Sequence, residues 1–241
     1  MKTPSSRVGS SLVVASVVAV VAASTGCEST IVRAEEKHEI SAKSDQSFLD
    51  GRIERLEKRT RDYPKRDDFQ YEIAGIYFLK EDYRGAARHL MHAIDLRPDN
   101  PRYHYHLGRV YLKMREVGLA EASFRAALAH TPEGRYSGFH CALGLVKSMQ
   151  SDNAGASQEF AAAIAAEPAN PEPYYFYAAV RDLQGDRDEA VRYFREYLAR
   201  GGRIFRSNAI FFLEKLGVVV DRAALERAER AVEPGADPFA G

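Results

Sequence analysis

Apolar residues fall at helical spacing along most of this chain. Ile73, Ala74, Tyr77 and Phe78 form one stripe, and Ala86, Ala87, Leu90, Ala93 and Ile94 form the next. Steps of three and four residues place each set on one face of a helix. The polar break Lys80-Glu81-Asp82 separates the two stripes. The pattern predicts two short antiparallel helices joined by a tight turn.

The pattern then repeats. Pro64, Pro98 and Pro132 lie thirty-four residues apart, Pro168 follows after thirty-six, and Gly202 after another thirty-four. Leu56, Leu90, Phe124, Phe160 and Phe194 each stand eight residues before these marks. Ala86, Ala120, Ala156 and Ala190 each stand twelve before. Several residue types in one phase over four units define a repeat. A lone helix pair cannot bury both of its faces, so neighbouring units stack into a solenoid.

The units resemble tetratricopeptide repeats. In the second unit Leu107-Gly108, Tyr111, Ala120, Phe124, Ala127 and Pro132 stand at the family's spacing. The first has Ile73-Ala74, Tyr77, Ala86, Leu90, Ala93 and Pro98, and the third Leu143-Gly144, Ala156, Phe160, Ala163 and Pro168. The fourth has Tyr177-Ala178, Ala190 and Phe194. Small residues such as Gly108 and Ala120 let the paired helices approach, Phe124 fills the space between them, and Pro132 stops the second helix. Gln70, His104, His140 and Tyr174 replace the family's early tryptophan, and Lys147 and Arg181 replace its inner tyrosine. Tyr197 stands where alanine is usual. These departures predict looser packing in the later units. The resemblance implies an all-α fold, an α-solenoid of about four helix pairs over 67–100, 101–134, 137–170 and 171–204.

Capping helices flank the repeats. Leu49, Ile53 and Leu56 mark a stripe in Phe48–Asp62, so 46–66 reads as an N-terminal cap. Ile210, Phe211, Leu213 and Leu216 mark a closing helix, with Gly217 as its stop. Asp221 caps a shorter helix over Arg222–Ala231, giving C-terminal capping helices over 205–232. The last residues, 233–241, read as a disordered tail.

The N-terminus has another character. Lys2 and Arg7 precede an apolar run from Leu12 to Ala23 that contains no acid. This is the layout of a secretory signal peptide over 1–26, and the run is short for a spanning helix, which needs about 20 residues. Ala23-Ser24-Thr25-Gly26-Cys27 resembles the lipobox of bacterial lipoproteins, with Ser24 in place of the usual leucine. The resemblance implies lipidation of Cys27. Conventional cleavage nearby is the alternative. Residues 27–45 are polar and mixed in charge, and read as the lipidated end followed by a flexible tether.

Composition narrows the function. The 241 residues carry 34 Lys and Arg against 34 Asp and Glu, which gives no basic excess for nucleic acid. Cys27 and Cys141 are too few for a disulfide framework. No metalloprotease, nucleophile-elbow, phosphate-loop or C-x-x-C motif occurs, so the chain reads as a non-enzyme without a cofactor. His140 and Cys141 are adjacent and diverge on a helix, and Cys141 reads as a small buried or groove-lining residue. His89 and His92 could share a metal at three-residue spacing, and His104 and His106 diverge. Neither pair has a well-spaced carboxylate, so packing and surface roles are the simpler reading. The basic cluster in 52–66 could rest on anionic lipid, but Glu54, Glu57 and Asp62 fit a solvated helix face better.

What remains is the concave face that first helices present in this family. By register its lining is Tyr71 and Phe78 with Leu79, then Arg102, Tyr105, Arg109 and Lys113 with Leu112. It continues through Cys141, Leu145 and Met149 to Glu172, Tyr175 and Leu183. Aromatics with arginine are typical of binding hot spots. Chaperone-tail-binding members clamp a carboxylate with lysine and asparagine. Gly75 and Arg109 stand in the asparagine's place, so that clamp is not expected. The expectation is a protein–protein scaffold or assembly factor of the bacterial cell envelope. It is lipid-anchored and periplasm-facing, with the outer membrane favoured over the inner, and it docks a peptide or helix of other envelope proteins. An adaptor for cell-wall enzymes and a histidine-dependent metal or ligand binder are the alternatives.

Overall fold

The structure is a computed structural model that describes residues 46–131 and 136–223. The leader, Cys27, the tether, most of the Pro132–Tyr136 connection and the tail lie outside these residues, as does most of the Arg222–Ala231 helix. The described chain forms α1 (Gln46–Asp62), α2 (Asp67–Leu79), α3 (Tyr83–Leu96), α4 (Pro101–Lys113) and α5 (Val117–Ala129). It continues through α6 (Ser137–Met149), α7 (Asn153–Ala166), α8 (Glu172–Leu183), α9 (Arg187–Ala199) and α10 (Arg206–Lys215). No strand occurs among the described residues. Each helix packs on its neighbours in sequence, and α6 also touches α8. This is an α-solenoid, in which every pair is completed by the next. No described helix is long and apolar enough to cross a membrane.

The turns inside the pairs share one construction. Glu81, Arg115, Ser151 and Gly185 end the first helices with φ of 59°, 61°, 63° and 83°. One left-handed residue reverses the chain, and only the fourth unit uses the glycine that this conformation favours. An aspartate follows in three units and caps the second helix. Asp82 accepts from the Gly85 N–H, Asp152 from the Gly155 N–H, and Asp186 from the Glu189 N–H. Glu116 in the second unit makes no such bond.

Within each pair a small residue faces a large one sixteen positions later: Ala74 and Leu90, Gly108 and Phe124, Gly144 and Phe160, Ala178 and Phe194. All eight are buried. A Cβ added at Gly108 meets the Phe124 ring at 2.6 Å, and one at Gly144 meets Phe160 at 2.7 Å. Glycine therefore opposes phenylalanine in the middle units because the helices leave no room for a methyl group.

Two packing expectations are overturned. The fourth unit is not loose, because Tyr175, Phe176, Phe194, Tyr197, Phe205 and Phe212 form a buried aromatic cluster there. Tyr197 is fully buried, and its hydroxyl accepts the Phe205 N–H at 2.7 Å. In α10 the buried aromatic is Phe212, stacked on Phe194 at 5.4 Å, while Phe211 is 61% exposed. In this helix the step of about 100° between adjacent residues turns Phe211 to solvent while Phe212 faces the core.

The residues that replace the family's inner tyrosine have defined partners. Lys147 reaches Glu121 at 3.3 Å and Asp152 at 3.2 Å, and Arg181 reaches Asp186 at 2.5 Å. Ion pairs at the turn thus stand in for the inner tyrosine of the later units.

Candidate functional site

The candidate docking face is built by α2 and α4. Pro101 opens α4 with its φ already helical, and the Asn100 side chain accepts the Arg102 N–H at 3.1 Å. From that start Arg102, His106, Arg109 and Lys113 fall at i, i+4, i+7 and i+11, on one face of the helix. Lys113 is exposed, and the other three are half-buried.

Contacts to α2 hold His106 and Arg109 of this stripe. Tyr71 lies 5.1 Å from Tyr103 and 5.4 Å from His106, ring to ring. The Arg109 guanidinium sits 5.5 Å over the Phe78 ring and 3.5 Å from Nδ1 of His106. Below them the Tyr103 hydroxyl donates to Asp67, whose other oxygen pairs with Arg97 at 3.0 Å. Asp67 is only 5% exposed, so both partners are needed to hold its charge.

Burial, then the charges of Arg109 and Arg102, hold the His106 pKa down to about 3, so its ring is neutral at physiological pH. Burial pushes the Tyr71 hydroxyl up to about 12, with the Arg109 charge opposing it. The stripe therefore offers cationic groups framed by neutral aromatic rings. Such a face can bind an extended or helical segment, and it holds no nucleophile–base pair.

Phe78 and Arg109 meet here, Tyr71 reaches the stripe through His106, and Arg102 and Lys113 share its face of α4 by register. Tyr105 and Tyr175 do not present themselves. Tyr105 is 7% exposed and packs on Phe139 at 4.8 Å, and Tyr175 is 2% exposed and stacks on Phe205 at 4.5 Å. Both fill space between units, a correction to their placement as contact residues. Cys141 and Leu145 are buried as well. From sequence His106 reads only as diverging from His104, and its four-residue step from Arg102 is the signal that places it on this face.

His89, His104 and His140 have structural partners. His89 stacks on Tyr77 at 5.2 Å with Nδ1 2.8 Å from the Gln70 Oε1. His104 Nε2 lies 2.7 Å from the Pro98 carbonyl oxygen, and His140 Nδ1 lies 2.8 Å from Glu159. Among the described residues no three His, Cys, Asp or Glu side chains cluster as a metal site would require.

Comparisons with known proteins agree on the architecture. Family descriptions match at 75–114 ("TPR repeat"), and at 101–132 and 141–207 ("Tetratricopeptide repeat"). No curated protein sequence matches the chain. Among solved structures, PilW, titled a widely conserved type IV pilus biogenesis factor, is 16% identical. It matches with a TM-score of 0.62 over 96% of this chain and 97% of its own. MamA is 22% identical with a TM-score of 0.60, over 65% of this chain and 90% of its own. YrrB, titled a TPR protein with an unusual peptide-binding site, is 17% identical with a TM-score of 0.54, over 85% and 99%. At these identities the likeness concerns the fold. Helix pairs, small-to-large interlocks and matched repeats together place the chain in the tetratricopeptide repeat family.

Proposed function

We propose that this protein is a non-enzymatic docking scaffold of the bacterial cell envelope, carried on a lipid at Cys27 and facing the periplasm. Its repeats hold a peptide or helix of another envelope protein against α2 and α4. The observation that carries the reading is the α4 stripe of Arg102, His106, Arg109 and Lys113, with Arg109 over Phe78 and His106 against Tyr71 of α2. Rigid aromatic and arginine groups bind at small entropic cost. The leader-like 1–26 segment and Cys27 supply the envelope side of the proposal. YrrB's title names a peptide-binding site and PilW's names pilus biogenesis, and both uses accord with docking.

One experiment addresses both halves. A photo-crosslinking residue replaces Lys113 in cells, with a control at the exposed Arg195, and each chain is also made with Cys27→Ser. The expected result is a membrane-fraction adduct specific to position 113, with Cys27→Ser moving the protein to the soluble fraction. Identical adducts from both positions reject the face, and unchanged fractionation rejects the anchor.

A further inference from the structure

α10 starts thirty-four residues after α8, and so stands in the phase of the first helices. Gly217 at φ 81° ends it, as Gly185 at 83° ends α8. Residues 218–221 then turn back, and the Arg222 guanidinium reaches the Glu214 carboxylate of α10 at 2.9 Å. Residues 222 and 223 are already helical. An apolar groove of about 350 Å³ lies where α9, α10 and the returning segment meet, lined by Leu198, Ala199, Leu213, Val218, Val219 and Val220. Asp221 stands on its rim.

The residues that follow keep the phase of the second helices. Ala190, Val191, Phe194, Tyr197 and Leu198 of α9 pack into the core. Thirty-four residues on stand Ala224, Leu225, Ala228, Ala231 and Val232, while Glu226, Arg227, Glu229 and Arg230 between them are charged. The sizes are exchanged at one place. In the first four units a small residue on the first helix faces a large one sixteen positions later. α10 has the large Phe212 at that register, and sixteen positions later stands the small Ala228. The exchange keeps the summed volume of the pair nearly constant. We infer that residues 222–232 are the second helix of a fifth repeat, folded back on α10 with Ala228 against the Phe212 ring, and that this helix covers the groove. It closes the C-terminal end of the array, a role apart from the docking face. The segment starts at the groove's rim, so its effective concentration there exceeds that of any second copy.

The test is hydrogen exchange on the full chain with Cys27→Ser. Amides of 225–231 should exchange about a hundredfold more slowly than those of 236–240. Ala228→Phe sets two large rings against each other, and should speed exchange over 225–231 about tenfold. Phe212→Ala with Ala228→Phe restores the order of sizes of the other units, and should recover most of that protection. Glu226→Phe, outward by register, should leave the exchange unchanged. Exchange over 225–231 as fast as over 236–240 in the parent chain overturns the inference, and no substitution is needed to read it. Additive losses in the double variant overturn it as well. Protection that disappears on dilution, with a dimer seen by light scattering, gives the groove to α1 of a second copy and overturns it too.

Discussion

A single methyl group separates the sequence of the second unit from one that cannot pack. Gly108 faces the Phe124 ring so closely that an added Cβ lies 2.6 Å from it. Phe124 is fully buried and cannot swing away. Gly108→Ala is therefore expected to destabilise the protein by about 2 kcal/mol through overpacking. Gly118→Ala is the control, because nothing lies within 4 Å of its added Cβ. There alanine should be neutral or stabilising by about 0.5 kcal/mol, from helix propensity. Urea unfolding of both variants checks the contrast. This interlock was legible in the sequence, since Gly108 and Phe124 recur at Gly144 and Phe160. The exposure of Tyr105 and Tyr175 was not. A helical wheel gives the direction of a side chain, but Phe139 of the next unit and Phe205 of the closing segment decide whether it is covered.

At the scale of elements, the end of the repeats depends on how α9 hands over to α10. Gly201 adopts φ 73°, which turns the chain, and Gly202 leaves space for the Tyr197 ring beside it. The Tyr197 hydroxyl then holds the Phe205 N–H, and Phe205 closes over Tyr175. Tyr197→Phe keeps the ring but strands a buried donor, and is expected to cost about 1–2 kcal/mol. Tyr197→Ala also empties the space, and is expected to cost about 3–5 kcal/mol. Thermal unfolding should rank the two in that order, and hydrogen exchange should show α10 loosened most. Equal effects from both variants would make the hydroxyl the whole contribution and the ring irrelevant. From sequence, Tyr197 read as a mismatch with the usual alanine. The compensation was written four and five residues later as two glycines, and only the fold shows that they and the tyrosine share one space.

Over the whole molecule, stability is a sum of unit and interface contributions, so one joint can set the acid limit of the array. The α2–α4 joint contains His106, whose pKa of about 3 lies below its ordinary 6.5 because of burial and the charges of Arg109 and Arg102. The unfolded chain binds the proton more readily than the folded one. The stabilisation is thus complete above pH 6.5 and is lost as pH falls toward 3. His106 alone should remove about 1 kcal/mol between pH 7.5 and pH 5.5. His89, also lowered mainly by burial, adds a slope of the same sign. Denaturant titrations at the two pH values should show a smaller loss in His106→Phe than in the parent chain. An identical loss would place the acid sensitivity elsewhere, with His89 the next group to replace. The consequence reaches the docking face, because the same low pKa that weakens the fold in acid keeps His106 uncharged there. Between pH 7.5 and pH 5.5 His106 should therefore add no charge to the face. Acid should then act through unfolding of the joint, and occupancy of the remaining folded molecules should change little.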